Sequence, residues 1–297
     1  MWLLFAFLAP ALYGIAEILD NFLANRLFKN PWALALCASL LNICFLPLLF
    51  FIEAPTLPPL SSLPIFIVLG FVEFGYLYPY YRGLQNDDTS IVSALFGLGR
   101  VFIPILAFLI VGEVLAPLQY VGVMLIISSS VLLSFQKHHA KMLFSKSFWY
   151  IGLAAFMLSF EGVLLKLLFE QGVTYSTAVG GEMVMALLFA LPLFALKKVR
   201  KEIMVPWVGV RVLFPVLIIE ELFTFLAFAS ETYAINLAPV TVVKSVGMFI
   251  PFFILFYGKM LKARYPLVFK EHLGHLVIYK KIFLFLLMVA GIILVGR

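Results

Sequence analysis

Two carboxylates and an amide interrupt an apolar run near the start of the chain: Glu17, Asp20 and Asn21, within ALYGIAEILDNFL at 11–23. Their spacings of three and four place them on one helical face. The interruption recurs, because Glu73, Glu161, Glu182, Glu220 and Glu221 also sit inside apolar stretches, with only Arg100, Lys166 and Lys244 of opposite sign. A charge at the centre of a membrane helix costs about 2.5–3.5 kcal/mol on insertion scales, so such groups turn toward a bundle interior or a wet cavity. With these carboxyl groups outnumbering the bases, not all can be ionised together in a low dielectric. Proton coupling needs a carboxyl that holds a proton facing one side of a membrane and releases it, or binds a cation, facing the other. The same excess suits an amine or another cationic substrate.

The expected substrate-binding or coupling set is therefore Glu17, Asp20, Asn21, Glu73, Tyr76, Arg100, Glu161, Glu220 and Lys244. Glu17, Glu73 and Glu161 bind or couple; Arg100 and Lys244 balance charge or grip a substrate carboxylate; Tyr76 and Asn21 add polar contacts. Structural roles compete with these. Arg100 is as well placed to pair with Glu17 or Glu73, and Lys166 to form an ion pair or to snorkel toward its helix end. In GYLYPYYRG, 75–83, Tyr76 shares a face with Glu73, whereas Tyr80 and Tyr81 fit an interfacial aromatic belt better. Glu113 and Glu231 lie near the ends of apolar stretches and read as interfacial.

The elements that carry these residues follow from composition. The chain is 64% hydrophobic, with 12% charged residues and 32 Phe, where a soluble domain carries about 25% charged residues. Its mean hydropathy is +1.11. An all-α integral membrane protein is the expectation. About 20 apolar residues cross a bilayer as a helix, and reading from charge to charge gives about ten transmembrane helices: 2–24, 31–51, 63–81, 90–111, 118–135, 148–169, 175–196, 212–229, 240–257 and 282–295. The first has no basic n-region and is too long for a signal-peptide core, so it reads as a retained span. Loops after the odd-numbered helices hold 17 of the 21 Lys and Arg. That bias puts those loops in the cytoplasm and both termini outside, in a bacterial cytoplasmic (inner) membrane. The mixed basic and apolar loop at 258–281 is expected to lie along the anionic inner surface.

An internal repeat is also legible. Residues 13–30 parallel 158–172, pairing Glu17 with Glu161 and, further on, Pro47 with Pro192. VEFGYLY at 72–78 parallels IEELFTF at 219–225, pairing Glu73 with Glu220, and Pro104 pairs with Pro251. Five helices per half is an odd number, so 147–297 would enter the membrane upside down relative to 1–136. Inverted repeats of this kind place a site near the midplane at the repeat interface.

The stretch LQNDDTSIVSALFGLGRVFIPILAFLIVGEVLAPLQYVGVMLI, 84–126, resembles the drug/metabolite transporter superfamily, EamA-like branch. Pro104, Gly112, Glu113 and Gly122 fill that family's positions of mid-helix proline, terminal Gly-Glu and following glycine. The second half departs from the pattern at Gly258-Lys259, where Lys stands for Glu. The resemblance implies two inverted five-helix repeats and secondary transport of a small metabolite, with a small-molecule substrate, membrane lipid and a coupling proton as partners. The competing reading is a non-transporting scaffold or accessory subunit.

Other classes lack their signatures. There is no P-loop, nucleophile elbow or metal-ligand cluster, so neither ATP-driven transport, an enzyme nor a cofactor is expected. His272 and His275 have no further ligand nearby. Cys37 and Cys44 read as inert packing residues that cannot bridge within one helix. The net charge of +6 reports orientation in the membrane and not nucleic-acid binding.

Overall fold

A computed structural model describes residues 1–86, 92, 95–96, 101–134, 146–209, 213–262 and 275–295. Every regular element among these is helical, which in lipid follows from the need to satisfy each backbone N–H and C=O within its own segment. Helix α1, Trp2–Phe22, runs on through a π-helical turn at Leu23–Leu27. Helix α2, Pro31–Asn42, starts where its sequence dictates. Asn30 accepts the Trp32 N–H at 3.1 Å, and Pro31 takes the first helical position, where its missing N–H had no partner to lose. A 3-10 turn, Ile43–Phe45, leads into the short α3, Leu46–Leu49.

The chain continues through α4 (Leu63–Asn86), α5 (Phe102–Val111), α6 (Pro117–Ser134), α7 (Lys146–Glu170) and α8 (Tyr175–Ala190). The basic stretch that follows, read from sequence as a loop, forms helix α9, Lys197–Gly209. It is amphipathic: Lys197, Lys198, Arg200 and Lys201 are exposed while Val199 and Ile203 are buried. Then come α10 (Leu213–Leu237), α11 (Val240–Val246), a 3-10 turn at Gly247–Phe249, α12 (Ile250–Lys262) and α13 (His275–Val295).

Among the described residues six helical stretches are long and apolar enough to cross a membrane: Trp2–Leu27, Pro31–Leu49, Leu60–Asn86, Phe148–Glu170, Tyr175–Ala195 and Val240–Gly258. Phe102–Val111, Pro117–Ser129 and Leu286–Val295 are shorter apolar stretches. The free Cys37 is buried and the free Cys44 exposed.

The most extensive contacts join α1 to α10, α4 to α7, and α6 to α13. Smaller ones join α1 to α12 and α7 to α5. Helix ends reinforce this packing across the two halves. Glu202, on α9, accepts the backbone N–H groups of Lys29 and of Asn30 (2.9 Å for the latter), just before α2. Glu53, just after α3, accepts the Tyr175 N–H at 2.9 Å, the first of α8. Each carboxylate meets donors that a helix start leaves without intrahelical partners, at the positive end of the helix dipole.

The Gly-Glu motif does the same work. Gly112 ends α5 in the left-handed conformation, φ +66°, which glycine adopts at no steric cost. Glu113 then accepts the Val240 N–H at 2.7 Å and the Thr241 N–H at 3.1 Å, capping α11. At the departing position, Gly258-Lys259, no such turn forms: α12 stays helical through Lys262.

Candidate functional site

The buried charges converge. A cavity of about 100 Å³ is enclosed by α1, α4, α7, α10 and the α11–α12 segment, and its lining includes Glu17, Asp20, Glu73, Glu161, Glu231 and Lys244. That volume holds several waters or a small organic molecule. A second space of about 50 Å³ adjoins it, sharing Asp20, Asn42, Glu73, Tyr76, Tyr80 and Thr224, and adding Glu182, Glu220 and Glu221. Eight carboxyl groups thus line one continuous polar interior, out of the chain's 15 Asp and Glu. Lys244 is the single basic side chain lining it among the described residues.

Lys244 is held at a break in its span. The seven-residue α11 ends two residues after it, and the 3-10 turn at Gly247–Phe249 separates α11 from α12. Interrupted helices are how membrane proteins bring backbone and charge to a midplane site. The Lys244 ammonium sits 3.2 Å from Glu161 Oε2 and 2.9 Å from Glu231 Oε2, all three side chains being buried. Its stem passes over Gly162, where a Cβ would fall against Lys244 Cε. The glycine next to Glu161 therefore leaves room for the Lys244 stem on its way to this bridge.

Toward the smaller space the groups are acidic and aromatic. Tyr80 donates its hydroxyl to Asp20 Oδ2 at 3.0 Å, and Thr224 donates to Glu220 Oε1 at 2.7 Å, one helical turn away. Glu182 is fully buried, and neither of its oxygens has a hydrogen-bond partner among the described residues. Asp20 Oδ1, Glu161 Oε1 and Glu220 Oε2 are likewise unmatched.

Of the expected site residues, Glu17, Asp20, Glu73, Tyr76, Glu161, Glu220 and Lys244 all line this interior. Asn21 lines neither space; its carbonyl accepts the Asn25 side chain at 3.0 Å within the helix. Arg100 lies outside the described residues, as does His272. Tyr80 and Tyr81 are not an interfacial belt but buried residues of the smaller space, because α4 continues to Asn86 and carries them inward. Glu231 is not interfacial either. Since α10 runs to Leu237, Glu231 is buried beside Lys244. Lys166 pairs with no carboxylate among the described residues. It donates to the carbonyls of Ile235 and Ala238, both at 3.2 Å, and so closes the C-terminal end of α10.

Residues that the sequence did not single out for the site include Asn42 and Ser159. Pro47, in α3 just past the 3-10 turn that follows Asn42, is the sequence signal that could have marked the first of these. Nothing in the local pattern marks Ser159.

Residues 1–135 match the model of the EamA-like transporter family. No curated protein matches the sequence. A protein of known crystal structure superposes with a TM-score of 0.63 at 16% identity, over 97% of this chain and 96% of that one, a likeness of fold alone. Residues 1–135, a little under half of the chain, are thus similar to the EamA-like transporter family, and the six membrane-crossing helical stretches among the described residues mark an integral membrane protein.

Proposed function

We infer that the chain is a secondary active transporter built as two inverted five-helix repeats, 1–136 and 147–297. It moves a small amine- or amino-acid-like metabolite through the central cavity by alternating access, driven by a proton or another gradient. The observation that carries this reading is the polar interior of about 100 Å³ lined by helices of both halves, with the repeat counterparts Glu17 and Glu161 both on its wall. Structural pairing alone does not account for eight carboxyl groups around one described lysine.

The pairwise packing supports the inverted repeat. Under the correspondence of α1 with α7, α4 with α10 and α5 with α12, the α1–α10 contact maps onto α7–α4 and α1–α12 onto α7–α5. The reciprocal caps map the same way: the carboxylate after the second span of each half meets the start of the second span of the other. A repeat related by a two-fold axis in the membrane plane has two exchangeable arrangements, and rocking between them exposes a midplane site to alternate sides. The basic loops, α9 among them, would face the cytoplasm.

Reconstitution into proteoliposomes tests the reading. Wild-type protein should drive gradient-dependent uptake of at least one solute from a labelled amine and amino-acid panel. That flux should collapse in Glu17→Gln and in Glu161→Gln. Wild-type rates in both variants would overturn the site assignment.

A further inference from the structure

We propose that the smaller, acidic end of the interior binds the ammonium group of a substrate that carries no carboxylate, so that the cargo is an organic amine and not an amino acid. This rests on the transporter reading and narrows it to a substrate class. Three observations lead there.

The first is charge. Asp20, Glu73, Glu182, Glu220 and Glu221 line this space, and among the described residues no basic side chain does. The second is hydrogen-bond character. Glu182 presents two unmatched oxygens from a fully buried side chain on the wall of this space, and Asp20 Oδ1 and Glu220 Oε2 are unmatched beside it. In its ionised form each is an acceptor, and a buried acceptor without a donor costs roughly 1–3 kcal/mol. An alkylammonium brings three N–H donors and a positive charge, and Tyr76 and Tyr80 supply aromatic faces of the kind that attract cations.

The third observation concerns what an amino acid would lack. Its carboxylate would need a cation or a set of donors. The one described cation in the interior, Lys244, already meets two glutamates at 2.9 and 3.2 Å. A substrate carboxylate would bring a third buried anion to a lysine already shared by two glutamates, against like-charge repulsion in a low dielectric. The larger space instead offers a carbon chain Ile103, Leu158, Phe228 and Met248.

The test is a set of matched ligands against the purified full-length chain in detergent, read by thermal shift and by direct binding. Butylamine, 1,4-diaminobutane and leucine methyl ester should each raise the melting midpoint in a saturable way. Leucine, which differs from its ester by the free carboxylate, should not. Glu182→Gln should weaken amine binding about ten- to hundredfold, the size of one charge-assisted hydrogen bond. The ligand-free melt of the variant reports whether it folds, and Glu221→Gln provides the same measurement at a second wall position if it does not.

Leucine binding as tightly as its methyl ester, or wild-type amine affinity in folded Glu182→Gln and Glu221→Gln, would overturn the proposal. Amine binding without flux in proteoliposomes would uphold the site and defeat the transporter reading. Flux of amino acids without amine binding would do the reverse.

Discussion

At the residue scale the molecule turns on Lys244 and the two glutamates that hold it. Taking one ammonium and two carboxylates out of water is unfavourable unless each keeps its partner. Removing the lysine strands both acids. Lys244→Met should therefore destabilise the protein by about 3–5 kcal/mol, seen as a large fall in the detergent melting midpoint. Glu231→Gln, which leaves Lys244 paired with Glu161, should cost clearly less. Gly162→Ala places a methyl against the Lys244 stem and should cost about 1–3 kcal/mol by overpacking. A Gly162→Ala melt identical to wild type would show that the stem does not need that space. Glu161 and Lys244 were each legible as buried charges within apolar runs. Their shared partner Glu231 was not, because the sequence set the end of its span at 229 and the helix continues to Leu237. Eight further helical residues separate a membrane-surface glutamate from a cavity glutamate.

At the scale of elements, function depends on helices that stop in the right place. Glu53, Glu113 and Glu202 each supply acceptors to the start of a helix in the other half of the chain. Replacing a capping side chain typically costs about 0.5–2 kcal/mol. Glu53→Ala and Glu202→Ala should each lower stability within that range. Because the two caps share no partner, the double variant should lose close to the sum, measurable as melting midpoints of the two singles and the double. A clear departure from additivity would mean that the caps act as one coupled lock. The Gly-Glu signature at 112–113 acquires a physical sense here. The glycine makes the left-handed turn and the acid caps a helix far along the chain. The sequence exposes the pair, but its target, the Val240 N–H, is 127 positions away and belongs to no local pattern.

For the whole molecule, the proposed orientation, with the basic loops in the cytoplasm, is one that labelling can check. In a chain freed of cysteine by Cys37→Ala and Cys44→Ala, Leu57→Cys should react with an impermeant thiol reagent from outside the cell. Lys198→Cys should react only after the cytoplasmic side is opened. Both positions are exposed, so access and not burial decides the result. Labelling of Lys198→Cys in intact cells would reverse the assigned orientation. The same whole-molecule arrangement explains why carboxylates scattered from residue 17 to residue 231 meet at all. Helices α1 and α10, and α4 and α7, run against each other, and Glu17, Asp20, Glu161, Glu220, Glu221 and Glu231 are buried among them.

The sequence by itself determined that the chain is helical and apolar enough to be embedded in a membrane, and it carries the pattern from which a charge bias and an inverted repeat are proposed. These properties are local or additive. Lipid admits only helices, whose backbone bonds close within one segment, or closed barrels, and apolar runs of about 20 residues select the helix. Which acids share one cavity, which lysine bridges and which merely closes a helix end was decided only by tertiary structure. Lys166 and Lys244 look alike as lone cations in apolar runs, yet one meets the carbonyls of Ile235 and Ala238 and the other meets Glu161 and Glu231. The rotation of each helix about its own axis, and the residue at which it ends, are set by packing against other helices, and no window of sequence contains that information.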